Sequence, residues 1–115
     1  MTMAHIHDSA RAGAVSLISA HQAELAAICR AFHVQRLELF GSALGSAFDP
    51  ARSDLDFVVE FAPLAPDAYA TAFFAFKEAL ERLFERSVDL IVLSAIRNPY
   101  FRRQVEQSKA LLYAA

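Results

Sequence analysis

The clearest signal in this chain is the spacing of its apolar residues, which changes between the period of a helix and the period of a strand. From about Ser9 to Phe32, apolar residues recur every three or four positions, as on one face of an amphipathic helix. After Pro63 and Pro66 interrupt the pattern, the same spacing returns from Asp67 to about Phe84. These two segments are therefore predicted to be long helices.

Three shorter segments have the composition of strands. Arg36 to Phe40 alternates between polar and apolar residues, and Ser87 to Leu93 is rich in β-branched residues. Asp54 to Phe61 is the clearest strand, because its apolar side chains face one side. Its aspartates face the other side, together with Val58 and Glu60.

A short helix is predicted near the end of the chain, since Asn98 suits a helix cap and Pro99 the first helical position. It should extend to about Ser108. The predicted order is helix, strand, strand, helix, strand, helix, which favours an α/β (α+β) fold with a small mixed β-sheet flanked by helices. At 115 residues the chain fits one domain. We expect residues 9–115 to form it, after a flexible tail at residues 1–8.

Composition narrows the class of protein further. The chain is 56% hydrophobic and 21% charged, which excludes disorder and suggests apolar surface for a protein partner or for a homo-oligomer or hetero-oligomer. A net charge of −2 with scattered basic residues gives no sign of nucleic-acid binding. No apolar run is close to the length of about 20 residues that a membrane-spanning helix needs. The single cysteine, Cys29, is expected in the core. The expected location is the cytoplasm.

Three aspartates form the main chemical constellation. Asp54 and Asp56, at positions i and i+2 of a strand, point to the same face, where two anions repel unless a cation lies between them. Magnesium fits, since it is bound by one or two carboxylates together with substrate phosphates. Asp89 adds a third carboxylate on a strand expected to be adjacent, and three carboxylates can hold two ions for nucleotidyl transfer.

Two further signals accompany the aspartates. Gly41-Ser42 closes the first strand, where a glycine lets the backbone approach a phosphate and a hydroxyl can bind its oxygens. Taken singly, an Asp-x-Asp pair is often a solvated strand end and a Gly-Ser pair is often a turn; their combination is what favours a site. Phe74 lies about 100° from Phe73 around the predicted helix, so it either contacts a partner or packs under a loop.

These residues together resemble the minimal nucleotidyltransferases of the polymerase-beta superfamily. The resemblance covers nearly all of the chain beyond residue 35, and the first helix agrees only in kind. The segments that carry it are Phe40-Gly41-Ser42, Phe48 to Phe61, Val88-Asp89-Leu90, Asn98 to Phe101 and Leu111 to Ala115.

The resemblance implies a nucleotidyltransferase fold that uses ATP and Mg²⁺, with two ions expected. It implies that the metal ligands and catalytic residues are Asp54, Asp56 and Asp89, with Asp89 also helping to activate the acceptor hydroxyl. It further implies that the triphosphate is bound by Gly41, Ser42 and Ser53.

Members of this family that are similar to this chain are typically antitoxins of bacterial toxin-antitoxin pairs, encoded beside a HEPN-domain ribonuclease toxin. In the best understood members the transferase attaches AMP to a tyrosine of that toxin. The resemblance therefore implies an Mg-dependent protein adenylyltransferase with that toxin as its partner. Such relatives commonly carry Arg-Gly where this chain has Gly45-Ser46, and loss of that cation would weaken triphosphate binding or change the preferred nucleotide. Two alternatives stay open: a weak or inactive domain that neutralises the toxin by binding, and a transferase acting on a small molecule such as an antibiotic.

Overall fold

The computed structural model describes residues 16–40, 54–108 and 110–115, and these residues contain four strands. Residues 16–20 are also helical and precede the first complete helix. The elements in chain order are α1 (Gln22–Ala31), β1 (Val34–Phe40), β2 (Leu55–Phe61), α2 (Pro66–Phe84), β3 (Val88–Val92), a 3-10 turn (Leu93–Ala95), α3 (Pro99–Ser108) and β4 (Ala110–Ala114).

The described strands form one mixed sheet in the order β3-β2-β1-β4. β1 is antiparallel to both β2 and β4, whereas β2 and β3 are parallel and are connected through α2. A parallel pair needs such a crossover, because its second strand must start at the same end of the sheet as the first. The predicted fold class, a small mixed sheet with helices, is confirmed.

One face of the sheet carries the main hydrophobic core. The alternation predicted for β2 is confirmed there, because Leu55, Phe57 and Val59 are fully buried on this face. α2 begins with Pro66 at its first turn and lays a stripe of buried residues against the sheet. The helical residues of this core are Ile18 of the segment 16–20, Leu25 and Cys29 of α1, and Phe76, Leu80 and Phe84 of α2.

The opposite face is covered by α3. Val105 of α3 is buried against Phe40 of β1 and Val58 of β2. The predicted start of this helix is confirmed, since the side-chain oxygen of Asn98 accepts hydrogen bonds from the backbone N–H groups of Tyr100 (2.9 Å) and Phe101 (3.2 Å). The face that bears the aspartates is thus partly enclosed by a helix.

The structure corrects two of the predicted elements and adds a strand. The first helix is interrupted at His21, whose backbone (φ −119°, ψ 19°) leaves the helical region while its N–H bonds the carbonyl of Ile18 at 3.0 Å; residues 9–15 lie outside the described residues. β1 begins at Val34, two residues earlier than predicted, and β4 was not predicted at all. β4 owes its structure to pairing with β1, which is a long-range contact that a local pattern does not report.

Among the described helices, none is long and apolar enough to span a membrane.

Candidate active site

The central feature of the candidate site is a pair of carboxylates on neighbouring strands. Asp56 of β2 and Asp89 of β3 are direct partners in the parallel register. Because such strands lie about 4.8 Å apart and paired residues point to the same face, their side chains are neighbours. Asp54 lies two positions before Asp56 and is exposed just outside the strand. The sequence-based expectation that the strand of Asp89 lies beside β2 is confirmed, and the residues that flank Asp89, Val88 and Leu90, are buried.

An aromatic side chain completes this row across the sheet. Phe40, the last residue of β1, is the register partner of Asp56 on the side opposite to Asp89. Its ring contacts the ring of Phe101 in α3, with the centroids 6.4 Å apart. The row therefore runs from Phe40 through Asp56 to Asp89, which lies on a strand at the edge of the described sheet.

An open groove of about 500 Å³ includes both carboxylates. Its lining includes side chains from β1, β2, β3, α2 and α3. The groove is therefore formed by several packed elements and not by a single loop. The lining residues that bear on the chemistry are Phe40, Asp56, Phe74, Lys77, Asp89 and Phe101.

Lys77 is a basic side chain of this groove, and it is held by a neighbour on the same helix. Its ammonium lies 3.4 Å from the carboxylate of Glu81. The same Glu81 oxygen accepts a hydrogen bond from the backbone N–H of Val88 at 3.2 Å. Glu81 therefore connects α2 to the first residue of β3, directly beside Asp89, and so helps to fix the position of that strand.

A second cavity, of about 220 Å³, lies between the first helical residues and β4. Its lining includes Ile18, Leu25 and Leu112 and contains no titratable side chain.

Cys29 does not supply a nucleophile, because it is fully buried and burial raises the pKa of its thiol to about 12. The prediction that Cys29 belongs to the core is confirmed, and the carboxylate groove is the better candidate for chemistry.

The donor set of the groove suits a magnesium ion. Within the described part of the chain, no three Asp, Glu, His or Cys side chains converge tightly enough to hold a metal ion by themselves. Magnesium does not require such a cage, since it keeps several waters and takes only one or two protein carboxylates together with substrate phosphates. Asp56 and Asp89 provide two adjacent carboxylates on one face, whereas Asp54 lies just before β2 and is not among the described residues that line the groove.

Some of the predicted site residues cannot be placed. Gly41, Ser42 and Ser53, and the Gly45-Ser46 departure, lie outside the described residues, so their roles remain predictions.

Sequence reasoning also missed Lys77 and Phe101 as groove residues. Lys77 could have been found, because it lies three positions after Phe74 and hence on the same side of the helix.

The chain matches a family of known proteins over most of its length. Residues 23–112 match the family model of the nucleotidyltransferase domain. This match covers most of the chain and includes Asp54, Asp56 and Asp89. The chain belongs to the nucleotidyltransferase domain family and is a nucleotidyltransferase.

One curated relative and two solved structures are similar to this chain. A curated protein of Methanocaldococcus jannaschii that carries the name "Putative protein adenylyltransferase" is 33% identical over 76 residues, covering 66% of this chain and 74% of the relative. The fold is similar to that of a chain in a toxin-antitoxin crystal structure with AMP-PNP (TM-score 0.61, 22% identity, 82% of this chain and 73% of that chain). It is also similar to a chain in the complex of a tri-AMPylated HEPN toxin of Shewanella oneidensis with its MNT antitoxin (TM-score 0.59, 20% identity, 84% and 72%).

Proposed function

We propose that this protein is an antitoxin that transfers AMP from ATP to a hydroxyl, expected to be that of a tyrosine, on a cognate HEPN-domain toxin. The observation that carries the proposal is the direct pairing of Asp56 with Asp89 across parallel strands, with Asp54 two positions before Asp56 in the sequence. The relative named as a protein adenylyltransferase and the AMPylated toxin in the similar complex support the choice of AMP and of a protein acceptor. The expected cytoplasmic location would supply the ATP.

The proposed residues divide the work between donor and acceptor. Gly41, Ser42 and Ser53 bind the triphosphate, while Asp54 and Asp56 hold magnesium and Asp89 joins them from β3. When bound, magnesium ions neutralise the phosphate charge and lower the pKa of an attacking hydroxyl. Asp89 also orients the acceptor hydroxyl and takes up its proton.

The reaction is balanced without a further reactant. The acceptor oxygen forms a bond to the α-phosphorus of ATP, and the bond from that phosphorus to the bridging oxygen of the β-phosphate breaks. Pyrophosphate leaves with the electron pair of that bond, and the hydroxyl proton passes to a carboxylate oxygen of Asp89. The products are the adenylylated hydroxyl and pyrophosphate, formed by an in-line displacement.

The test is to incubate the protein with the HEPN toxin encoded beside it, ATP and Mg²⁺, and to determine the intact mass of the toxin. We expect an increase by one or more AMP units, which disappears in the Asp54→Ala/Asp56→Ala variant. Glu60→Gln is the matched control, because Glu60 lies on the same strand and face but opposite Arg36. An unchanged toxin mass in a stable complex would instead establish neutralisation by binding.

A further inference from the structure

Exposed aromatic side chains are concentrated near the carboxylate groove. Within the described residues, Phe74 is 65% exposed and Phe101 is 38% exposed, and both line the groove. Tyr100, beside Phe101, is 78% exposed. Leu111, the other large apolar residue with comparable exposure, lies on β4 at the opposite edge of the sheet. Exposed aromatic clusters of this kind are typical of surfaces that bind a partner.

The row Phe40, Asp56, Asp89 runs across the groove from β1 to β3, so the groove has a β1 side and a β3 side. Phe40 is the last described residue before Gly41-Ser42, the proposed triphosphate-binding pair, so the nucleotide is expected on the β1 side. In an in-line displacement the acceptor must approach from the side opposite to the leaving pyrophosphate. The acceptor is therefore expected on the β3 side, where Asp89 is the outermost carboxylate of the row.

A shelf of α2 side chains borders this outer side. Phe73, Phe74 and Lys77, which we name the α2 shelf, line the groove together with Asp89. Phe74 is held by an edge-to-face contact with the ring of Phe73 (centroids 5.3 Å apart, 86° between planes), and Phe73 in turn packs against the core. An exposed aromatic ring that is already fixed loses little freedom when a partner binds.

β3, which carries Asp89, lines the groove together with the α2 shelf. Among the strands that the structure describes, only β2 pairs with β3, so β3 is an edge strand of the described sheet, and its Asp89 is exposed. Leu90 and Ile91 of β3 belong to the lining of the groove. An extended peptide that adds to such an edge gains backbone hydrogen bonds, while pockets for its alternate side chains give specificity.

We propose that an extended segment of the acceptor protein adds along the outer edge of β3 and places an apolar side chain against Phe74 of the α2 shelf. Its hydroxyl-bearing residue then lies beside Asp89. This inference rests on the proposed function, because it assigns the acceptor side of the same site. It makes Phe74 a residue of acceptor recognition that has no part in binding ATP.

The test compares Phe74→Ala with Leu111→Ala, which removes a similarly exposed apolar side chain at the opposite edge. For each variant we would measure the Kd of the HEPN toxin, the KM of that toxin in AMP transfer, and the Kd of AMP-PNP with Mg²⁺. Phe74→Ala should raise the toxin Kd and KM about 10- to 30-fold, as truncation of a central aromatic contact does, and leave the AMP-PNP Kd unchanged. Leu111→Ala should leave all three constants unchanged, and Phe74→Tyr should restore toxin binding.

Hydrogen exchange provides a second measurement that does not depend on catalysis. Toxin binding should slow the exchange of outward-facing β3 amides in the wild-type protein. Equal effects of Phe74→Ala and Leu111→Ala, or no slowing at β3, would overturn the docking inference. Weaker AMP-PNP binding by Phe74→Ala would also overturn it, and would assign the shelf to the nucleotide base.

The same measurements separate this inference from the proposed function. A wild-type protein that binds the toxin without modifying it would refute the transferase proposal, while the toxin Kd values would still decide whether the α2 shelf is the docking surface. A wild-type protein that transfers AMP while Phe74→Ala retains the toxin KM would refute only the docking inference. A wild-type protein that neither binds nor modifies the toxin would refute both.

Discussion

Replacing Asp89 with asparagine removes one of two negative charges that face each other across β2 and β3. The side chain changes little in size, so the packing of its buried neighbours Val88 and Leu90 should be retained. We expect Asp89→Asn to stabilise the protein in the absence of divalent metal, and at the same time to abolish AMP transfer. Such opposite effects on stability and activity are typical of residues that are needed for function but destabilise the folded protein.

The magnitude follows from the register of the two strands. Two unit charges about 5 Å apart repel by about 0.8 kcal/mol in water and about 3 kcal/mol at an effective dielectric constant of 20. Because Asp89 is exposed, the lower part of this range applies, and we take about 1 kcal/mol. For a chain of this size, 1 kcal/mol corresponds to a rise in Tm of about 4 °C.

The assay is thermal unfolding of both proteins in EDTA and in 10 mM Mg²⁺. If the wild-type site binds magnesium with a Kd of about 1 mM, this concentration stabilises it by about 1.4 kcal/mol, and Asp89→Asn should lose most of that response. Glu60→Gln is the matched control, because it removes a charge from the same face opposite Arg36 and should keep the magnesium response. A lower Tm for Asp89→Asn in EDTA, or an undiminished response to magnesium, would refute this reasoning.

Three further predictions concern the fold around the site. Asn98→Ala should lose the two hydrogen bonds that cap α3 and reduce the free energy of unfolding by about 1 kcal/mol in urea titrations, whereas an unchanged midpoint would show that the cap contributes nothing. Glu85→Gly should increase that free energy by about 0.5–1 kcal/mol, because Glu85 ends α2 at φ 53°, where only glycine avoids a steric penalty; a decrease would contradict this. The thiol of Cys29, whose pKa burial raises to about 12, should resist Ellman's reagent at pH 8 in the native protein and react on unfolding, and rapid native labelling would contradict its burial.

The elements with a strong local signal could be predicted from the sequence. The alternation from Leu55 to Phe61 correctly separates the core face of β2 from the face of the carboxylates, and Asn98-Pro99 correctly marks the start of α3. The alternation did not reveal that Val58, on the carboxylate face, is also fully buried. That burial depends on Val105, which is distant in the sequence and is brought there by α3.

Elements that depend on distant partners could not be predicted in the same way. The run from Ala110 to Ala114 has no alternation of its own and becomes a strand through pairing with β1. For the site, the spacing of Asp54 and Asp56 predicts that they share a face, and Asp89 could be assigned to an adjacent strand. The sequence places Lys77 on the side of α2 that carries Phe74, but the position of that side next to Asp56 and Asp89 depends on how α2 crosses the sheet, which is a tertiary feature.

The parallel pairing of β2 and β3 also has a consequence for folding. Asp56 and Asp89 are distant in the sequence, and the whole of α2 lies between their strands. Closing such a crossover costs chain entropy before any strand contact forms, so this contact is expected late on the folding pathway. A nascent or partly unfolded chain would therefore lack the carboxylate pair altogether, and enzymatic activity would report directly on the fraction of molecules that have completed folding.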